Sequence, residues 1–224
     1  MTDNSTSAAR LTPIQPGEPA PEFRLAAVNH EGTISLAEYR GRSPLFLALF
    51  VGLWCPFCRR SIAQMGTMEG RIRAAGVETL GVVASAPDNA RLYFKYRPTR
   101  LRLAADPELF THRAYGVPKP EVTPELMDQV ASIRINPHGD LPEALPPQEA
   151  ALAIERLDGG HTPTETDQAD LQRQWPQLKG QFLIDRDGVV RWTNIECGGP
   201  DGLAGLGKFP TVDEILAAIR TLPA

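Results

Sequence analysis

Two cysteines, Cys55 and Cys58, are the residues of this sequence best suited to chemistry, and they form a Cys-Pro-Phe-Cys motif. Two thiols on one helical turn are within reach of a disulfide, whose Cα atoms lie about 5.5 Å apart. If a helix begins at Pro56, Cys55 lies at its positive end. Such a position can lower a thiol pKa from about 8.5 to roughly 3.5–7.5. We therefore predict that Cys55 is the attacking thiolate and Cys58 the resolving thiol.

Two other interpretations of this pair remain open. The thiols could be inert side chains of the core, or they could be half of a zinc site. A zinc site usually takes a second Cys or His pair, and the sequence offers only Cys197 and four scattered histidines for one. His30 falls in a predicted turn, and nothing near His138 or His161 makes either of them a ligand. Redox chemistry is the preferred interpretation.

The sequence around the motif predicts the elements that position it. Residues 45–51 are seven apolar residues in a row, which is typical of a strand buried on both faces and too short for a membrane span of about 20 residues. Proline at position 56 suits the first turn of a helix. Arg59 and Arg60 on this helix would add positive charge near the thiols. Apolar residues follow at helical spacing, at Ile62, Met65, Met68 and Ile72.

The composition is that of an ordinary globular protein, with 42% hydrophobic and 22% charged residues among 224. A formal net charge of -4 gives no reason to expect a nucleic acid or an anionic membrane as a partner. Residues 1–10 are polar and lack the apolar stretch of a secretory signal. Three cysteines without such a signal favour a cytoplasmic location, where a Cys-x-x-Cys pair is more often catalytic than structural.

The remaining chain alternates strands and helices. We expect residues 1–16 to form a mobile tail and residues 17–224 to form one domain. An Asp-Gly pair at 187–188 predicts a hairpin, and Thr211 with Glu214 forms a capping box. The order predicts an α/β sandwich with a mixed sheet. The predicted strands are 23–28, 33–36, 45–51, 77–85, 101–104, 181–184 and 189–192, and the predicted helices begin near residues 56, 88, 106 and 211.

Residues 118–176 interrupt this alternation, and we call them the insert. They are rich in proline and contain about eleven acidic residues against about four basic ones. A loop of this length without structure is unusual in a compact domain, and helix starts are predicted at 123–125, 147–149 and 164–167. We expect a helical insertion that either covers the active site or contacts a second subunit in a homodimer.

Taken in order, these segments resemble the alkyl hydroperoxide reductase/thiol-specific antioxidant (AhpC/TSA, peroxiredoxin-like) family of the thioredoxin superfamily. The resemblance covers most of residues 17–117 and 178–222, and it skips the insert. It implies a thioredoxin-like fold, in which helices flank a mixed central sheet, with an N-terminal hairpin. The segments that carry the resemblance are 17–23, 34–41, 54–58, 105–117 and 182–190.

The resemblance also implies thiol chemistry on a hydroperoxide or a disulfide. The thiolate of Cys55 would attack the O–O bond and become a sulfenic acid, with which the thiol of Cys58 condenses. Reduced thioredoxin or glutathione would then regenerate the two thiols by exchange. This chemistry requires neither a metal nor another cofactor. Trp54 and Pro56, within the motif, are expected to support the site.

The sequence departs from the family pattern at two positions. Typical peroxiredoxins carry a threonine three residues before the reactive cysteine, where this chain has Gly52. They also place an arginine just before the strand that contains Phe182, where this chain has Lys179. Lysine keeps the charge but lacks the bidentate fork of arginine. We therefore expect weak or selective peroxidase activity. The proline that thioredoxins use before this strand is absent as well, so the chain does not match the thioredoxin pattern either.

Three functions remain open. The preferred function is a thiol oxidoreductase that reduces hydroperoxides through Cys55 and Cys58. The second is a thiol-disulfide oxidoreductase acting on protein disulfides, and the third is a non-enzymatic redox sensor whose insert binds a partner. Cys197 is interpreted as a lone cysteine in a glycine-rich loop, with a second resolving thiol or an intermolecular disulfide as the alternatives.

Overall fold

The computed structural model describes residues 10–223, and a seven-stranded sheet runs through the centre of this part of the chain. The spatial order is β2-β1-β5-β4-β3-β6-β7. Strands β3, β4 and β5 are parallel, and the other neighbours are antiparallel. The predicted α/β fold with a mixed sheet is confirmed. The strands are β1 (Arg24–Ala27), β2 (Thr33–Ser35), β3 (Leu45–Phe50), β4 (Glu78–Val83), β5 (Leu103–Ala105), β6 (Gly180–Ile184) and β7 (Val190–Ile195).

The helices begin close to the predicted positions, with one exception. The third helix begins at Phe110, not at Asp106, because the Asp106 carboxylate accepts the backbone N–H groups of Phe110 and Thr111 at 3.1 and 2.7 Å and caps the helix from a turn. No helix within residues 10–223 is both long and apolar enough to cross a membrane. The helices are α1 (Pro56–Ala74), α2 (Pro87–Tyr96), α3 (Phe110–Ala114), α4 (Pro124–Ser132), α5 (Pro147–Leu157), α6 (Glu165–Gln174) and α7 (Val212–Ile219), with short 3₁₀ helices at Leu36–Glu38 and Gly202–Gly205.

The central strand β3 is buried along its whole length, as the apolar run predicts. Because successive side chains point to opposite faces, Phe46, Ala48 and Phe50 join the core that includes residues of α1, α2 and α7. The three intervening leucines join a second core with α3 and the first hairpin. Each fully buried Leu or Phe contributes about 1.5–3 kcal/mol, so both faces of the sheet hold β3 in place. The Cys-Pro-Phe-Cys motif therefore follows a rigid strand.

The hairpin of β6 and β7 forms around the predicted Asp-Gly turn. The Asp185 carboxylate accepts the N–H groups of Asp187 and Val189, both at 2.9 Å. Gly188 adopts a φ of 81°, which glycine tolerates without steric cost. Strands β6 and β7 pair so that Gly180 lies opposite Ile195. This hairpin brings the residues before β6 and after β7 to the same end of the sheet.

The insert contains three helices, and all three predicted starts are confirmed. The side chains of Thr123 and Thr164 cap α4 and α6, and α5 begins at Pro147. The insert has a small apolar core of its own, against which Phe57 of α1 packs. Its buried members are Ile135, Leu141, Ala150 and Ile154.

The N-terminal segment packs on the domain from Arg10 onward, where we expected a mobile tail. Ile14 is fully buried in the second core, and its N–H donates to the Tyr115 carbonyl at 3.0 Å. Arg10 forms an ion pair with Glu18 at 2.6 Å. Because most residues of this segment are polar, the sequence did not predict that Ile14 would anchor it to the core. Residues 1–9 of the expected tail lie outside the described residues.

We predict that Ile14→Ala lowers the free energy of unfolding by about 2–5 kcal/mol, since a buried isoleucine leaves a cavity when it is truncated. Leu11→Ala is the matched control, because Leu11 is fully exposed, and its effect should stay within about 0.5 kcal/mol. Urea unfolding measures both variants. Equal effects of the two changes would show that the segment does not pack as described.

Candidate active site

Cys55 and Cys58 lie on the first turn of α1, as the motif predicts. Cys55 is the N-cap residue, with φ -85° and ψ 114°, and Pro56 takes the first helical position. The backbone N–H of Cys58 donates to the Sγ of Cys55 at 3.4 Å. Cys55 is 8% exposed and Cys58 is fully buried. Both are free thiols in this structure, so the site is described in its reduced state.

The surroundings shift the pKa values of the two thiols in opposite directions. The pKa of Cys55 lies below its usual value, chiefly because the thiol of Cys58 donates a hydrogen bond to it. Burial opposes this shift, whereas the charge of Lys179 and the backbone N–H of Cys58 reinforce it. Burial raises the pKa of Cys58 well above its usual value, and the neighbouring Cys55 raises it further. Of the two thiols, Cys55 is therefore the one that ionises more easily, and Cys58 is the one that holds its proton more strongly.

A buried ion pair of Lys179 and Glu196 supplies the charge beside the thiols. Lys179 Nζ lies 3.3 Å from Glu196 Oε1, with the two side chains 2% and 6% exposed, and it donates to the Gly207 carbonyl at 2.9 Å. Glu196 also accepts the backbone N–H groups of Lys179 at 3.0 Å and Gly207 at 2.7 Å. Burial disfavours the ammonium of Lys179, but Glu196 and the two thiols outweigh it and raise its pKa. Lys179 is thus a permanent cation.

Glu196 was not predicted as a residue of the site, although the strand pattern of the sequence contained a signal for it. The backbone N–H of Glu196 donates to the Lys179 carbonyl at 3.1 Å, which continues the pairing of β6 with β7 by one residue. The predicted hairpin ended its second strand at residue 192, and the observed strand runs to Ile195. A longer strand would have placed an acidic residue opposite Lys179.

Arg59 and Arg60 form hydrogen bonds and ion pairs with groups other than the thiols. Arg59 Nη1 donates to the Leu53 carbonyl at 2.6 Å, and its other terminal nitrogen pairs with Glu155 of the insert. Arg60 pairs with two aspartates of the insert, Asp140 at 2.8 Å and Asp158 at 3.3 Å. Their positive charge is compensated within these pairs, which connect α1 to the insert.

Trp54 contacts the insert as well. Its ring Nε1–H donates to Oε1 of Gln174 at 2.8 Å, and the backbone N–H of Gly52 donates to the same oxygen at 2.7 Å. Gln174 is the last residue of α6 and is fully buried. Nothing in the local sequence pattern marks this glutamine. The insert therefore lies against the loop that precedes the thiols, consistent with the covering role expected for it.

Cys197 lies in the loop after β7 with a φ of 60°. It is half-buried, and burial raises its pKa to about 12. Adjacent Glu196 opposes ionisation further. The thiol is thus protonated at neutral pH, which fits the interpretation of a lone, unreactive cysteine.

His138 and His161 form hydrogen bonds with groups other than the two thiols. His138 contacts the Ser61 hydroxyl at 3.1 Å, and burial lowers its pKa to about 4. His161 contacts Asp167 at 3.1 Å. His112 is fully buried, which lowers its pKa to about 4. Within residues 10–223, no three His, Cys, Asp or Glu side chains are close enough together to hold a metal ion.

We predict that Lys179→Met raises the pKa of Cys55, because it removes the nearest compensating cation, and that it lowers the free energy of unfolding by about 3–5 kcal/mol by leaving Glu196 buried and unpaired. The double variant Lys179→Met/Glu196→Gln should recover much of the stability. It should not restore the Cys55 pKa, since Lys179 acts on Cys55 more strongly than Glu196 does.

Lys208→Met is the matched control, since Lys208 is exposed and pairs with Asp201. Titration of the thiolate by its ultraviolet absorbance measures the pKa, and urea unfolding measures the stability. An unchanged titration in Lys179→Met would show that this lysine does not act on Cys55.

Comparisons with known proteins identify the family and the fold of the chain. The profile of the AhpC/TSA family matches residues 16–193, whereas no curated protein sequence matches the chain. Similar solved structures include the reduced 2-Cys peroxiredoxin of Plasmodium vivax, with 18% identity over 93% of this chain and 81% of that one and a TM-score of 0.57. The peroxidoxin BcpB of Mycobacterium tuberculosis has 13% identity, coverage of 94% and 99%, and a TM-score of 0.57.

These structural likenesses show the fold, which is thioredoxin-like, as the sequence predicts. The family match spans most of the chain, including the two cysteines. The chain therefore belongs to the AhpC/TSA family and is a thiol-dependent oxidoreductase of the peroxiredoxin type.

Proposed function

We propose that this protein reduces hydroperoxides, with Cys55 as the nucleophile and Cys58 as the resolving thiol. The observation that carries the proposal is the opposite shift of two adjacent thiol pKa values, downward for Cys55 and upward for Cys58. An ionised sulfur is the attacking species in thiol chemistry. Cys58 keeps its proton while Cys55 reacts with the hydroperoxide, and it gives that proton up when its sulfur bonds to the oxidised sulfur of Cys55.

In the first step, the Cys55 thiolate attacks one oxygen of the hydroperoxide and the O–O bond breaks. Cys55 becomes a sulfenic acid, and the departing alkoxide or hydroxide takes up a proton to become an alcohol or water. In the second step, the Cys58 sulfur bonds to the Cys55 sulfur, and the sulfenic hydroxyl leaves as water with the Cys58 proton. A thiol reductant, thioredoxin or glutathione, then returns two electrons and two protons by exchange.

Burial favours a small oxidant over a protein disulfide. Cys55 is 8% exposed and Cys58 is fully buried. A protein disulfide must bring a sulfur atom and its flanking backbone into line with the nucleophile, and these surroundings restrict that approach. A hydroperoxide needs only a narrow path to the Cys55 sulfur. Reduction of protein disulfides therefore remains the second candidate function.

The groups that would hold the peroxide differ from those of typical members of the family. Gly52 contributes no hydroxyl, and a side chain there would collide with Trp54 and Gln174 at 2.6 and 2.8 Å. Lys179 contributes one ammonium, which Glu196 and Gly207 already contact. With fewer free donors near the thiolate, transition-state stabilisation is smaller, which supports the expectation of weak or selective peroxidase activity.

We predict that Cys55→Ser abolishes hydroperoxide consumption, because serine supplies no thiolate. Cys58→Ser should retain the first oxidation step and leave a Cys55 sulfenic acid that persists or over-oxidises, detectable by mass spectrometry after one equivalent of hydroperoxide. Cys197→Ser is the matched control and should behave like the unaltered protein. Equal loss of the first step in the Cys55 and Cys58 variants would contradict the assigned roles.

The pH dependence follows from the sign of the Cys55 shift. As pH falls through the lowered pKa of Cys55, the proton occupies the nucleophile and the rate of the first step falls. Above that pKa the rate is level. Stopped-flow measurement of thiol oxidation across the acid range tests this, and a rate that rises only near the pKa of an ordinary thiol would exclude a preformed thiolate.

Insulin reduction separates the two candidate functions. The peroxidase proposal expects turnover with hydrogen peroxide or an organic hydroperoxide when thioredoxin or glutathione is the donor, and little reduction of insulin. Rapid insulin reduction without peroxide turnover would establish the disulfide alternative instead.

A further inference from the structure

The active-site loop, residues 52–54, is held by a side chain from the insert. Oε1 of Gln174 accepts the Gly52 N–H at 2.7 Å and the Trp54 Nε1–H at 2.8 Å. The side-chain Nε2 of the same residue donates to the Ala84 carbonyl, which follows β4. One buried amide thus uses both of its ends to join the loop to the sheet.

The next residue of the loop is held in a similar way. The Leu53 N–H donates to the Ser85 hydroxyl at 3.0 Å, and the Leu53 carbonyl accepts from Arg59 at 2.6 Å. Arg59 pairs in turn with Glu155 in α5. Since Glu155 and Gln174 both belong to the insert, that segment supports the loop directly at Gly52 and indirectly at Leu53.

The loop determines where Cys55 begins α1. The Cys55 N–H donates to the Gly52 carbonyl at 3.1 Å and closes a turn. Glycine would otherwise leave this turn free to adopt other conformations. The three groups that favour ionised Cys55, namely the Cys58 thiol, the Lys179 ammonium and the Cys58 N–H, are fixed by α1 and by the sheet. The position of the sulfur relative to them depends on the shape of the turn.

Steric evidence also couples the insert to the loop. A Cβ atom at Gly52 would lie 2.8 Å from Oε1 of Gln174 and 2.6 Å from Cδ1 of Trp54, distances that packed carbon atoms do not tolerate. The Trp54 ring and the Gln174 amide together occupy the space in which a side chain at position 52 would stand. Glycine is therefore required here by the close approach of these two side chains rather than by its backbone angles.

We propose that Gln174 is a positioning residue for Cys55, so that the insert completes the active site as well as covering it. This inference rests on the proposed function in taking Cys55 as the nucleophile. Gln174 touches neither substrate nor sulfur, and it acts through the turn that it holds. A specific amide in the insert, rather than the bulk of the insert, then sets the reactivity of the thiol.

The test is Gln174→Met, which keeps the length of the side chain and removes its hydrogen bonds, in a Cys197→Ser background where the first thiolate to titrate is that of Cys55. We expect the pKa of Cys55 to rise and the rate of its alkylation by iodoacetamide at neutral pH to fall on the order of 10-fold or more. Gln172→Met is the matched control, because Gln172 is an exposed residue of the same helix. A Gln174→Met protein that is less stable but keeps the parental pH profile would overturn the proposal.

A mutant cycle gives a second test that does not depend on the folding of Gln174→Met. Gly52→Ala should slow alkylation in the parent protein, since the new methyl group displaces the amide. In a Gln174→Ala background the same change should cost less, because the contact with the amide is gone and the Trp54 ring, which Gln174 no longer holds, can move away from the new methyl group. If the two changes slow alkylation in the double variant by the product of their separate factors, the two residues do not act through each other, and the proposal is overturned.

Thiolate titration and alkylation require no peroxide turnover, so this inference and the proposed function can fail separately. If the parent protein consumes no hydroperoxide but Gln174→Met still shifts the Cys55 profile, the positioning role stands and the peroxidase assignment falls. If peroxide turnover is confirmed and neither Gln174→Met nor the cycle changes the profile, the peroxidase assignment stands and the positioning role falls.

Discussion

The proposed chemistry depends on one physical requirement, a negative charge on the nearly buried sulfur of Cys55. Burial alone would keep this thiol protonated, and three contacts reverse that preference: the Cys58 thiol, the Cys58 backbone N–H and the Lys179 charge. Each comes from a different structural source, namely a side chain on α1, the unpaired start of that helix, and the end of the sheet. Because Lys179 is itself buried, it needs Glu196 as a compensating anion. The thiolate therefore depends on a chain of charges inside the protein rather than on solvent.

The fold supplies rigid points for each of these groups. Strand β3 is packed on both faces and delivers Cys55 to the start of α1. The β6–β7 hairpin places Lys179 and Glu196 side by side. The active-site loop between β3 and α1 has no regular structure of its own, and its backbone groups bond instead to side chains from the insert, α1 and the end of β4. The proposed nucleophile thus follows a short segment without helix or strand, which long-range hydrogen bonds hold in place.

Local sequence patterns predicted much of this architecture. The apolar run before the motif, the proline after Cys55 and the Asp-Gly turn each act over a few residues, and each is found where expected. Two features of the site escaped prediction, the carboxylate of Glu196 and the amide of Gln174, because their roles depend on residues far away in the chain. The orientation of the Arg59 and Arg60 side chains could not be assigned from the sequence for the same reason, since their partners lie in the insert.

Position 52 shows what such long-range contacts mean for the descent of this sequence. Gly52 and Gln174 are separated by 122 positions, yet an amide at one occupies the space that a side chain at the other would need. A larger residue at position 52 would collide with the Gln174 amide as well as with the Trp54 ring. Sequences derived from this one should therefore gain a side chain at position 52 only together with changes around it.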